Sequence, residues 1–115
     1  MSRDVCEIKS IREDLINKIS DEMSSNETYE EVGKLFKLLG DFNRIRIITA
    51  LKNNELCVCE LSILLDMSQS SVSHQLRLLR HHNIVKHRKE NKKVFYSLNN
   101  DKVYELIKKG EKIDK

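Results

Sequence analysis

The 115-residue chain has no proline, three glycines and three cysteines, and no apolar run in it approaches the ~20 residues that a bilayer-spanning helix needs. Each scarcity excludes something. With so little glycine there is no Gly-rich loop to cradle a nucleotide phosphate. No trio of histidine, cysteine and acid stands at catalytic spacing, so an enzyme is not expected. Without proline, low-complexity tracts or internal repeats, nothing marks a second domain, and the length suits one small domain with an arm. A core of that size is modest, which makes dimerisation a natural way to add buried surface. Residues 1–25 hold no apolar signal-peptide core, and three cysteines are an odd number for a disulfide framework. The expectation is a cytoplasmic protein with reduced thiols and no membrane partner.

What is present is charge, unevenly placed. Residues 1–31 carry nine acids against four bases, a net −5, whereas residues 77–93 carry seven bases against Glu90, a net +6. All four histidines lie between His74 and His87. A local basic excess of this kind suits a polyanionic partner.

Hydrophobic periodicity supplies the order of elements. Ile8, Ile11, Leu15, Ile16, Ile19 and Met23 fall at helical spacing, which predicts a helical arm. After "SSNET", Thr28 and Glu31 have capping-box spacing ahead of a stripe of Val32, Leu35, Phe36 and Leu39, with Gly40 as the C′ residue. Asp41 then caps a helix carrying Phe42, Ile45, Ile48 and Leu51. "LCVCELSILLD" reads as a short apolar helix, and Ser68 as the cap of the next, with room for only a tight turn between them. "IVKHR" and "KVFYSL", separated by "KENK", read as a β-hairpin, and "NNDKVYELIKKGEKI" returns to helix. The fold class expected is mainly α with a β-hairpin, a winged helix-turn-helix. It comprises an arm over residues 1–27 and a domain over 28–115, with a recognition helix at about 68–81, a wing at about 84–98 and a C-terminal helix at about 100–113.

The recognition helix has two faces. Val72, Leu76 and Leu79 should pack inward, while Gln69, Ser70, Ser73, His74, Arg77 and Arg80 face out. Short polar groups at the front of such a helix approach base edges in a major groove, and Gln suits adenine. Arg77 and Arg80 are better placed for phosphates, which set register. The hairpin is a basic finger, with Lys86, Arg88, Lys89, Lys92 and Lys93 about its tip, and counterion release there would make binding salt dependent.

"ELCVCEL", "MSQSSVSHQLRLLR" and "VKHRKENKKVFYSL" together resemble the ArsR/SmtB family of winged-helix metal-sensing repressors, over residues 30 to 113. The N-terminal "VCEI" resembles its CadC-like cadmium/lead-responsive branch. The resemblance implies a homodimer, joined through its N- and C-terminal helices, that holds a pseudo-palindromic double-stranded operator and leaves it when metal binds. It carries DNA contacts onto Gln69, Ser70, Ser73 and His74. Two departures stand out. Ser10 occupies the place of a second arm cysteine in that branch, and Lys102 and Ile113 fall where the zinc-sensing branch has ligands on its C-terminal helix. A C-terminal-helix site is therefore not expected.

Cys57 and Cys59 are spaced i and i+2. On a regular helix such residues diverge by roughly 200° around the axis and cannot share an ion. They share a side if Cys57 precedes the first turn, where the backbone is still extended. The spacing thus predicts a metal site at the helix start, with Cys6 as a third thiolate. Soft ligands select Cd(II), Pb(II), Zn(II), As(III) or Cu(I), and the order expected with the resemblance is Pb(II) and Cd(II) ahead of Zn(II). Water, Glu7, Glu60 and Ser10 are the candidates for a fourth ligand. Drawing this helix start toward the arm should shift the recognition helices. The alternatives are an arsenite- or oxidant-sensing repressor of the same fold, or a DNA-binding module without an effector.

Overall fold

The computed structural model describes residues 12–113. In these residues six helices and one antiparallel hairpin follow in the order α1 (Glu13–Glu22), α2 (Asn26–Leu39), α3 (Phe42–Ala50), α4 (Val58–Leu65), α5 (Gln69–His81), β1 (Val85–Glu90), β2 (Lys93–Leu98) and α6 (Lys102–Gly110). The chain divides into two units, Met1–Leu35 and Phe36–Lys115, so the border falls inside α2. No helix among the described residues is long and apolar enough to cross a membrane.

In the first unit α1 opens on Glu13 and Asp14, whose charges complement the positive end of the helix dipole. None of its residues is buried, and Leu15, Ile16, Ile19 and Met23 all face solvent. The start of α2 lies one turn earlier than the Thr28–Glu31 spacing predicts. The Ser25 hydroxyl accepts from the Thr28 N–H at 3.2 Å, so Ser25 is the capping residue and Thr28 already lies in the first turn. Two capping-type residues three apart competed here, and the upstream one adds a turn of backbone hydrogen bonds.

In the second unit α2 stops at Leu39, as expected, but Gly40 is not left-handed, because no glycine here has a positive φ. A Cβ on Gly40 would instead lie 3.3 Å from the Phe36 carbonyl oxygen, so the glycine is there for close approach. Asp41 caps α3 by accepting from the Arg44 N–H at 3.0 Å. Left-handed positions fall to Asn53, Asp66, Asn83, Asn91 and Lys92, which supply the sharp turns of a glycine-poor chain. Asp66, at φ 54° and ψ 53°, ends α4, and Ser68 starts α5 two residues on by accepting from the Ser71 N–H at 3.1 Å. These two residues make the tight turn of the helix-turn-helix.

The hairpin is tighter than "KENK" suggests. Lys89 and Glu90 belong to β1 and Lys93 to β2, which leaves a two-residue turn at Asn91–Lys92 with both φ angles positive, the type I′ signature. Its register pairs Val85 with Leu98, His87 with Tyr96, Arg88 with Phe95 and Glu90 with Lys93. Outside it, Leu56 pairs with Tyr96 as an antiparallel bridge, so the residues just before α4 form a rudimentary third strand beside the wing.

The core is wholly apolar among the described residues. Ile47, Ile48, Leu51, Leu61, Val72, Leu76, Leu79 and Val85 are essentially inaccessible, and Leu38, Leu39, Leu65, Leu98 and Val103 are buried around them. The expected inward face of α5 is therefore found. The expected stripe of α3 is rotated: Ile47 joins Ile48 and Leu51 inside, while Phe42 is 72 % exposed. Phe42 instead lies under the Arg46 guanidinium, 4.9 Å from the ring centroid. An aromatic at a first turn can be covered by a cation one turn on, which periodicity alone does not reveal.

Candidate nucleic-acid interface and thiol site

The outward face of α5 presents Gln69, Ser70, His74, Arg77 and Arg80 to solvent, with Ser73 half-buried among them. The helix is held from behind. Arg44 of α3 donates through Nε to Gln75 Oε1 at 2.8 Å and through Nη1 to the Leu38 carbonyl at 3.1 Å, which fastens α5 to α3 and to the end of α2. Arg46 donates through Nη2 to the carbonyl of Leu65, one of the open carbonyls at the end of α4. Sequence reasoning singled out neither arginine. The signal was two cations in the otherwise apolar run "FNRIRIITA", where an inward-leaning charge must find a partner.

The wing extends the basic surface. Lys89, Lys92 and Lys93 are exposed at or beside the turn. Among the described residues no carboxylate pairs with them, nor with Arg77 or Arg80. Arg88 is placed differently. Its Nε and Nη2 donate to the two carboxylate oxygens of Glu55 at 2.8 and 2.9 Å, its Nη1 donates to Glu90 at 2.9 Å, and its guanidinium lies 5.2 Å from the Phe95 centroid. The hydrogen bonds from Arg88, aided by its charge and that of Lys86, hold the Glu55 carboxyl below the usual carboxylate range against desolvation. Bonds from Glu55 and then Glu90 make Arg88 still harder to deprotonate.

The thiols begin one residue after the Leu56 bridge. Cys57 is the N-cap of α4, at φ −88° and ψ 169°, the extended conformation that the i, i+2 spacing requires. Both Cys57, half-buried, and Cys59, exposed on the first turn, are free thiols. Glu60 accepts from the Cys57 N–H at 2.9 Å. Hydrogen bonds from the Cys57 backbone and thiol, and the charge of Lys93, keep Glu60 below the usual carboxylate range against desolvation. Cys6, the third expected ligand, lies outside the described residues. Among the described residues no three metal-binding side chains gather at one point. What the second unit offers a thiophilic ion is a pair of sulfur donors with an acidic neighbour at the start of the first helix of a helix-turn-helix.

The sequence profile of the bacterial regulatory protein arsR family matches residues 41–87, from the α3 cap through the first half of β1. A cadmium resistance transcriptional regulatory protein CadC homolog of Staphylococcus aureus is 38 % identical over 111 residues, covering 96 % of this chain and 91 % of that one. The chain belongs to the ArsR family. A transcriptional repressor SmtB homolog of Synechocystis sp. is 34 % identical over 104 residues, covering 90 % of this chain and 79 % of the relative. Among solved structures, HlyU from Vibrio cholerae N16961 superposes with a TM-score of 0.69 at 34 % identity, covering 77 % of this chain and 97 % of that one. As an ArsR-family protein with this fold, the chain is a winged helix-turn-helix transcriptional regulator and not an enzyme.

Proposed function

We propose that this regulator is a metal-responsive repressor that binds operator DNA as a homodimer and releases it when a thiophilic ion closes on Cys57, Cys59 and Cys6. The observation that carries the reading is the extended N-cap conformation of Cys57, which allows two thiolates two residues apart to face one ion. Cd(II) and Pb(II) stand ahead of Zn(II), because the donors are soft and a relative matching nearly the whole chain is a cadmium-resistance regulator. Cys6 enters on sequence grounds, as the one remaining thiol of the chain.

Gln69, Ser70, Ser73 and His74 read base edges, and Arg77, Arg80, Lys89, Lys92 and Lys93 hold phosphates. Arg88, expected in the second set, already has two carboxylates on its guanidinium. Pairing of two copies is supported by an apolar groove of about 400 Å3 lined by Phe36, Leu39, Ile45, Leu106 and Ile107, which leaves Phe36 and Leu106 exposed. Two copies must set their α5 helices about 34 Å apart to meet successive major grooves, so a small shift of either helix is costly to binding.

Adding Cd(II) to a fluorescently labelled operator complex should weaken it about 5- to 150-fold, the range of an ordinary coupling of 1–3 kcal/mol. Cys57→Ser and Cys59→Ser should bind DNA like the parent and lose the response. Unchanged anisotropy with Cd(II), Pb(II) and Zn(II) alike would remove the sensor role and leave the DNA-binding one.

A further inference from the structure

We infer that Glu55, through Arg88, makes the wing and the backbone that carries Cys57 a single moving part, so that an ion closing on Cys57 re-aims the wing. The inference rests on the reading of Cys57 as a ligand. It assigns to Glu55 and Arg88 a role as positioning residues and takes Arg88 out of the phosphate-contacting set.

Glu55, Leu56 and Cys57 are consecutive, and each is fastened. Leu56 exchanges both backbone hydrogen bonds with Tyr96 of β2, its N–H donating at 3.0 Å and its carbonyl accepting at 2.8 Å. Glu55 grips Arg88 of β1 with both oxygens. Cys57 gives its N–H to Glu60 in the first turn of α4. The short segment is thus bound to both wing strands on one side and to the sensor helix on the other.

A bidentate carboxylate–guanidinium pair fixes relative orientation as well as distance. Here the third edge of the guanidinium is taken by Glu90 and its face by Phe95, so Arg88 is held from several sides within the wing. Exposed ion pairs add little to stability, which leaves orientation as the effect this cluster can have. A change of backbone angle at Cys57 passes directly to Leu56 and Glu55, and their two fastenings turn it into rotation of the hairpin. The turn at Asn91–Lys92 begins three residues beyond Arg88, about 10 Å at ~3.3 Å per residue, so a small rotation at the root becomes a larger displacement of Lys92 and Lys93.

The test is a Cd(II) titration of the full-length, isotopically labelled protein followed through its backbone amide resonances. In the parent, the amides of Cys57 and Cys59 and those of the wing, Arg88 and Phe95 among them, should shift together. In Glu55→Ala and in Arg88→Ala the cysteine amides should still shift while the wing shifts fall to less than half. The double variant should lose no more than either single one, as partners in one pair do. Lys52→Gln, which removes the separate Lys52–Asp101 pair, should leave the wing shifts intact. Wing shifts that persist in Glu55→Ala, or are missing in the parent while the cysteine amides move, overturn the coupling and leave the metal site standing. If the cysteine amides do not move in the parent, the metal site fails and the coupling with it.

Discussion

Lys92 shows a single residue held against its local backbone preference. It holds φ at 71°, where glycine is the favoured residue and an L side chain is disfavoured by roughly 1–2 kcal/mol. A lysine there keeps a positive charge at the point of the wing. Lys92→Gly should therefore stabilise the protein by up to about 1 kcal/mol in urea unfolding, while weakening DNA binding. A variant that gains nothing in stability would mean that the turn is not strained at this residue. Cys57 is the complementary case. A cap position takes extended backbone in any protein, and here that ordinary geometry is the one the proposed pairing of Cys57 with Cys59 on an ion requires.

Among the elements, the wing is fastened to Glu55 through Arg88. Arg88 lowers the folded-state pKa of Glu55 below its unfolded value, so the contribution of the pair is present above the ordinary carboxylate range, near pH ~4.3, and is lost as pH falls through the lower folded value. The hydrogen-bonded Arg88 Nε–H resonance should stay constant from neutral pH down to about 5 and change only below ~4.3. A midpoint at or above that value would show that Arg88 does not hold Glu55 in solution. The helices divide by how local their signals are. The Ser68 cap and the Val72–Leu76–Leu79 face of α5 were readable because cap, spacing and burial all belong to one helix. The Arg88–Glu55 pair was not, because its partners stand 33 residues apart and meet only where the Leu56–Tyr96 bridge lays the segment before α4 beside the wing.

For the whole molecule the net charge of +3 is a poor guide, since the basic excess is concentrated between Arg77 and Lys93. DNA affinity should fall linearly with the logarithm of salt concentration. Taking away a single side chain proposed to hold a phosphate, as in Lys89→Ala or Arg77→Ala, should lower the slope by about 0.9. Arg88→Ala should leave the slope unchanged, because its charge is already balanced by Glu55 and Glu90. A drop of similar size at Arg88 would return it to the phosphate-contacting set.

Periodicity, caps and turn residues by themselves determined the order of elements, the inward and outward faces of α5 and the extended backbone at Cys57, because each is encoded within a few neighbouring residues. Tertiary structure decided which side of α3 lies inside, which arginines are consumed by α5, α4 and Glu55, and that the residues before α4 pair with the wing. Those outcomes depend on which distant side chains meet, and a charged group's role follows from the partner it finds rather than from its own identity.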